Sequence, residues 1–418
     1  MNDRTAEVLV LGAGLQGTGI ALELARRGVA VTLAEQDAVA MNRASLRNEG
    51  KIHLGFIYAN DTTFATAARQ LEGALVFREI LARWIGPAAD HLALSTPFHY
   101  LVDGDSVRSP AQLEEHYRLV ESRAREALAA DPSMDYLGTR PEAWVRRLGA
   151  DELAARFDPD RFAGGFDTAE LAVNTDVLAQ ALRAAVAAAP GLAFAPSHTA
   201  RSIEAVHGGF VVGGDSPSGP WRIRARQVVN ATWERRLAFD RQLGIAPPAD
   251  LLHRLKYRVI ARLPHELLGA PSVSMVLGRY GDVVVRPDGT AFLSWYPVGL
   301  RGWSHDAEPP AHWDGPCRGE VAEPQAREIA AGILAGIDAW YPGMGRAEPL
   351  QVDAGAIVAI GRTDVDDASS GLHDRTHIGV ATLGGYHSVD PGKLTTAPLF
   401  ALAAAERVEA FALGRALA

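Results

Sequence analysis

The sequence predicts an α/β fold: a Rossmann-like domain made of discontinuous segments, with an inserted antiparallel-sheet domain. Three observations predict it. The chain opens on a strand, a glycine-rich turn, a helix and a second strand. Strands and helices alternate near both ends, and the middle is rich in hairpins. These place a nucleotide domain at 1–85, 150–245 and 350–418, and a substrate domain at 86–149 and 246–349.

The elements follow in order. Val8-Leu9-Val10-Leu11 is a short apolar run and reads as a buried strand. A helix runs from about Gln16 to Arg27 with Ile20, Ala21 and Leu24 on one face, and Gly28 stops it. Val29 to Ala34 is the next strand. Further helices are expected at Thr63 to Trp84, Pro110 to Ala130, Pro141 to Arg156, Asp176 to Ala189, Pro324 to Trp340 and Thr396 to Leu417. Alanine, the strongest helix former, makes the run Ala181 to Ala189 helix rather than linker.

Strands are expected at Ala200 to Val206, Phe210 to Val212, Trp221 to Arg224 and Gln227 to Asn230. Others fall at Leu255 to Leu263, Asp282 to Arg286 and Ala291 to Tyr296. Pro287-Asp288-Gly289-Thr290 reads as a hairpin turn, because proline presets one dihedral and glycine supplies positive φ. Two Pro/Gly/Ser/Asp clusters, Gly213 to Pro220 and Glu308 to Gly319, read as loops.

Composition excludes several classes. The 418 residues hold two or three domains' worth of chain, 48% hydrophobic and 22% charged, which is ordinary for a globular protein. A net charge of -9 argues against a general nucleic-acid binder. The single cysteine, Cys317, lies in a polar stretch and cannot form an intramolecular disulfide, which fits a reducing cytoplasm. No apolar run is long enough for a transmembrane segment, and the first one leaves no room for a signal peptide. His373 and His377 lack a third ligand, so no metal site is expected.

Gly12-Ala13-Gly14-Leu15-Gln16-Gly17 is a G-x-G-x-x-G between a strand and a helix. Gly12 makes the turn, Gly14 lets the backbone approach a pyrophosphate, and Gly17 lets helix and strand pack closely. The helix N-terminus then faces the phosphate charge. Glu35 ends the second strand, placed to accept a hydrogen bond from a ribose hydroxyl. The pattern predicts a bound dinucleotide without separating FAD from NAD.

Three further segments resemble the D-amino acid oxidase superfamily of flavoproteins. Ala44 to Gly55, with its Ile52-His53-Leu54-Gly55 core, is similar to the flavin-side stretch of L-2-hydroxyglutarate and glycerol-3-phosphate dehydrogenases. Val228-Val229-Asn230-Ala231-Thr232-Trp233 resembles a strand-and-turn of the family, although no glycine follows Thr232. Gly384-Gly385 through Pro391-Gly392-Lys393-Leu394-Thr395-Thr396 resembles the C-terminal flavin loop. The segments run in family order across nearly the whole chain.

The resemblance implies FAD, a two-domain fold, and hydride transfer from a C–N or C–O carbon to flavin N5. It implies that Arg43, Ala44, Ser45, Asn48, Glu49, Gly50 and Lys51 run along the cofactor. Ala231 and Thr232 would meet it at the turn. Gly384, Gly385, Gly392, Lys393, Leu394 and Thr395 would form the C-terminal loop, whose amides and helix dipole can stabilise negative charge. It leaves oxygen or quinone as electron acceptor, and a small polar molecule as substrate.

His53 has three readings: general base for a C–OH substrate, point of covalent flavin attachment, or structural histidine against the cofactor. Lys393 could place positive charge near the flavin. Strand alternation sends Lys256 and Arg258 to one face and Tyr257 to the other. Arg258 could hold a substrate carboxylate or phosphate by a bidentate fork, with Tyr257 as a further candidate. Trp295, Tyr296 and Trp303 are candidate aromatic walls. Many relatives carry a G-x-R-P arginine where this chain reads Gly355-Ala356-Ile357-Val358, and Arg362 could substitute. Only three residues are lysine, and Lys51, Lys256 and Lys393 all fall in these segments.

Overall fold

A computed structural model describes residues 4–278, 280–361, 363, 367 and 370–414. Its first sheet has eight strands and its second has nine. In the first, the strands Arg4–Leu11, Val31–Ala34, Leu192–Ala195, Gly219–Asn230 and Tyr386–Asp390 run parallel, in the order Tyr386–Asp390, Gly219–Asn230, Arg4–Leu11, Val31–Ala34, Leu192–Ala195. The helices Leu15–Arg26 and Ala397–Ala412 pack together on it. Gly19 permits the approach: a Cβ there would lie 2.6 Å from the Trp84 ring and 3.2 Å from Ala401. The face of the C-terminal helix that carries Phe400 and Val408 is thereby buried.

This topology positions a site. Parallel strands that leave a central strand in opposite directions open a crevice at their carboxyl ends. Gly12, Glu35, Ala231 and Pro391, each directly following one of four parallel strands, all line one cleft.

The second sheet is mostly antiparallel and is built on the strand Leu251–Arg262, which pairs along its length with Glu348–Ile360. Alternation gives its two faces different work. Leu255, Tyr257 and Val259 pack into a core with Ile329, Ile333 and Ile337 of the helix Glu323–Asp338. Arg254, Lys256 and Arg258 point the other way and line the cleft.

Most expected elements form within a few residues of their expected ends, and Gly289 adopts the positive φ of its hairpin turn at +80°. Three readings are corrected. Pro141 to Arg156 is not one helix: Val145–Arg147 is an edge strand paired with Phe162–Thr168, and only Ala150–Ala154 is helical. Sheet pairing overrides the helical pattern there. Gly213 to Pro220 is mostly strand, because Gly209–Ser216 and Gly219–Asn230 form a hairpin that closes at Ser216 and Gly219. Glu308 to Gly319 contains the short helix Asp314–Arg318, which buries Cys317. Phe162–Thr168, and Glu348–Ile360 from residue 350 onward, fall within segments expected to belong to the nucleotide domain, yet both strands pair in the second sheet.

Candidate active site

The cleft between the sheets encloses about 1690 Å³ counting its mouth. It runs from the glycine turn at Gly12 and Gly14 to Lys393 and Tyr296. At the dinucleotide end, the glycines divide their roles. A Cβ on Gly17 would sit 1.8 Å from the Gly12 carbonyl oxygen, so this glycine serves packing. A Cβ on Gly14 would meet only the Ser45 hydroxyl, at 2.8 Å, on the side of the cleft. The Ser45 oxygen accepts the Leu15 amide at the helix start.

Glu35 accepts hydrogen bonds from the amides of Ala13 (2.6 Å) and Asp37 (2.9 Å). Burial outweighs those bonds and pushes its carboxyl up to about 7. A ribose hydroxyl is a suitable further donor to this buried acid. Arg43 lines the cleft, but its guanidinium is closed on Asp37 (2.9 Å) and Asp314 (2.7 Å). Asn48 stitches its own loop, donating to the carbonyls of Ala44 and Ser45 and accepting from the Gly50 amide.

The structure brings Ala44, Ser45, Asn48, Glu49 and Lys51 to the cleft wall, as expected of the segment. Ala231, Thr232, Gly392, Lys393 and Leu394 join them there. Four expected cofactor contacts are displaced. Gly50 turns onto the Val173 carbonyl, where a Cβ would clash at 2.1 Å. Gly384 and Gly385 form the turn between the strands Gly379–Leu383 and Tyr386–Asp390, at the opposite end of the latter from the cleft. Thr395 sits behind the wall, its hydroxyl accepting the His53 amide at 2.9 Å.

Two catalytic expectations are also corrected. Tyr257 faces the helix-covered core, away from the cleft. The Arg258 fork is taken: its Nε lies 2.6 Å and its Nη2 3.1 Å from the two oxygens of buried Asp353, which also holds Arg47 at 3.2 Å. Arg258 fixes the floor of the site and has no fork to offer substrate. Arg362 lies outside the described residues. Ile357, where relatives carry arginine, pairs across the sheet with Arg254. Of the aromatics, Tyr296 lines the cleft, Trp295 packs on Trp340, and Trp303 is exposed.

His53 does line the cleft, and it has a partner that sequence patterning did not reveal. Its Nδ1 lies 3.4 Å from Glu170 Oε1. The Glu170 carboxylate is fully buried, accepts the Leu54 amide at 2.7 Å, and takes a short hydrogen bond from Tyr100. The pairing of Lys51–Ile52 with Leu171–Ala172 brings the two segments together. Burial raises the Glu170 carboxyl, but His53, Lys51 and Tyr100 together hold it below the usual range. Burial pushes the His53 imidazole down despite Glu170, so it is neutral at neutral pH and its Nε2 remains for the cavity.

All three lysines line the cleft. Lys51 Nζ is 2.8 Å and Lys256 Nζ 3.5 Å from the two oxygens of Asp282, and Ser274 bridges Lys51 to the same carboxylate. Lys51 also stands over the Phe98 ring at 4.6 Å, and Lys256 over Tyr296 at 4.8 Å. Burial raises the Glu49 carboxyl, but Lys256, Lys393 and Lys51 outweigh it and bring it to about 2. Lys393 is the exception among the three: burial, with Arg375 and Arg254 nearby, brings its ammonium down to about 8. Glu170, Asp282, Arg254 and Arg375 carry no local motif. Only the contacts between distant segments reveal them.

A family model described as FAD dependent oxidoreductase matches residues 7–407. A D-erythritol 1-phosphate dehydrogenase of Brucella abortus (strain 2308) is 29% identical over 234 residues, 54% of this chain and 41% of that protein. The chain therefore spans less than half the length of that relative. Among solved structures, glycine oxidase from Geobacillus kaustophilus superposes with a TM-score of 0.69 at 16% identity, covering 99% of this chain and 96% of that one. L-alpha-glycerophosphate oxidase from Mycoplasma pneumoniae, with FAD bound, gives 0.66 at 17% identity, covering 97% and 95%. Among the described residues no helix is long and apolar enough to cross a membrane. With a glycine cradle and a buried acid at the second strand both lining the cleft, the chain belongs to the FAD dependent oxidoreductase family and is an enzyme that uses FAD.

Proposed function

We propose that the protein oxidises a CH–OH carbon of a small polar metabolite to the carbonyl, acting in the cytoplasm. The observation that carries this reading is His53 with Glu170 behind it, in the wall where the cleft meets a second cavity. A hydroxyl needs a base, whereas an amine can react as its free base.

When bound, the flavin supplies the acceptor for a hydride. Gly12, Gly14 and Glu35 are placed to hold its dinucleotide part, and the Lys393 loop to hold the other end. The substrate carbon gives up one hydrogen with two electrons, and the hydroxyl proton passes to His53, leaving a C=O bond. Glu170 orients the ring and stabilises the imidazolium formed. The Brucella dehydrogenase and the Mycoplasma oxidase both act, by their names, on polyol phosphates, which supports a C–OH carbon.

The test is anaerobic bleaching of the yellow holoenzyme by paired hydroxy and amino compounds. Bleaching by a hydroxy compound and not by its amino counterpart is expected. Bleaching by amines alone would overturn the reading. Reoxidation by air against reoxidation by a quinone then assigns the acceptor.

A further inference from the structure

Lys393 brings into the site an amine that the proton transfer at His53 does not use. Its side chain lines both the cleft and the second cavity beside it, and His53 lines the same two spaces. Among the described residues the Lys393 Nζ donates no hydrogen bond and forms no ion pair. The other two lysines are engaged: Nζ of Lys51 lies 2.8 Å and Nζ of Lys256 3.5 Å from the oxygens of Asp282. Burial works against both of those ammonium groups. Asp282, with Glu170 near Lys51 and Tyr296 near Lys256, outweighs it and holds them above the usual lysine range. They stay protonated, and a protonated amine has no lone pair to give.

At Lys393 the balance is reversed. The charged groups that face it are Glu49, Arg375, Lys256 and Arg254. Burial brings its ammonium down to about 8; Glu49 opposes this, and the three cations add to it. At pH 7 about a tenth of the side chain is then free amine, on the order of 300-fold more than for an ordinary lysine. A desolvated lysine among other cations is the arrangement that forms Schiff bases with carbonyl compounds. The site also makes the electrophile. Oxidation at a C–OH carbon leaves C=O, and oxidation at a C–N carbon leaves an imine that water converts to C=O. A carbonyl compound therefore arises in the space that Lys393 lines, whether the substrate is a hydroxy or an amino compound.

We propose that Lys393 is a covalent capture site for small polar aldehydes and ketones, the product of the reaction among them. The Nζ lone pair adds to the carbonyl carbon. The two amine protons leave with the carbonyl oxygen as water, and a C=N bond replaces the C=O bond. No electrons are gained or lost, and water reverses the step. The enzyme is thereby inhibited, reversibly, by its own class of product.

The test uses the FAD-loaded enzyme and hydroxyacetone, a neutral ketone. Borohydride added after timed incubation reduces the C=N bond to a stable C–N bond. The chain has only three lysines, so peptide mass spectrometry assigns the adduct by position. Lys393 is expected to be labelled at least about tenfold faster than Lys51 or Lys256, because only its amine is substantially free. The rate should rise with pH through about 8 and then level off. Gel filtration before the borohydride should remove the label, since the unreduced bond is reversible. No adduct at Lys393, equal labelling of the three lysines, or a rate still climbing well beyond that pH would each overturn the capture site. So would an adduct in the cofactor-free protein that disappears when FAD is bound, because the flavin would then occupy the amine.

Discussion

Nδ1 of His53 stands 3.4 Å from Oε1 of Glu170, across 117 residues of chain and with both side chains buried. At that distance the contact is electrostatic more than a well-formed hydrogen bond. It still has a direction. Burial lowers the imidazole's proton affinity, and the carboxylate raises it. The balance leaves a neutral ring able to take a proton.

His53→Ala should therefore slow flavin reduction by a hydroxylated substrate about 10²–10⁴-fold, the usual worth of a general base, while FAD is retained. Glu170→Gln keeps the shape and removes the charge that raises His53. The acid limb of the rate profile should then move to lower pH, with a smaller loss of rate than in His53→Ala. Anaerobic stopped-flow reduction across pH measures both. Equal rates for the parent and His53→Ala would sink the base assignment.

Asp282 is the counter-ion for both Lys51 and Lys256. Burial raises its carboxyl, but the two ammonium groups outweigh that and hold it well below the usual range. Asp282→Asn leaves both lysines buried opposite a neutral amide. Breaking such a pair costs about 3–5 kcal/mol. Chemical denaturation of the holoenzyme should show that loss, and adding Lys51→Met should recover part of it. Wild-type stability in Asp282→Asn would mean that water or another group already neutralises the lysines.

The two inner glycines of the opening turn should fail differently. An added methyl at Gly17 meets backbone that cannot move, 1.8 Å away. Gly17→Ala should lose soluble folded protein. At Gly14 the nearest atom is the rotatable Ser45 hydroxyl. Gly14→Ala should fold, with its far-ultraviolet circular dichroism intact, yet hold FAD less tightly because the methyl lies where the pyrophosphate approaches. Flavin-to-protein absorbance ratios after gel filtration separate the two cases.

The legible parts of the molecule are those in which one short segment carries its own geometry. Gly12, Gly14, Gly17 and Glu35 lie on one βα turn and the strand that follows, so their spacing alone predicts the cradle. Strand alternation sent Lys256 to the cleft and Tyr257 away from it. It could not foresee that Asp353 on the paired strand would occupy Arg258. Gly384 and Gly385 belong to the stretch that resembles a C-terminal flavin loop, but the strand that follows them carries the chain to Pro391 before it meets the cleft. Glu170 and Arg375 stayed hidden because each acts on a residue from a different segment.

Glu35 gives a pH prediction with a definite sign. Its carboxyl sits at about 7 in the folded chain against 4.5 in the open chain, mainly through burial. Below pH 4.5 both states hold the proton, and the group has no effect on stability. As pH rises from 4.5 to 7, the unfolded chain releases its proton first, so the stability that Glu35 contributes falls. Above that window the deficit is constant, at most about 3 kcal/mol. Glu35→Gln cannot ionise, and it orphans one of the two amides that the acid accepts, a pH-independent cost of about 1–3 kcal/mol. The melting temperatures of cofactor-free parent and variant should therefore converge as pH rises through the window. A hydroxyl donated by bound FAD favours the carboxylate, so the FAD-loaded pair should converge less. A gap between the cofactor-free proteins that does not change with pH would show that Glu35 titrates as an ordinary acid.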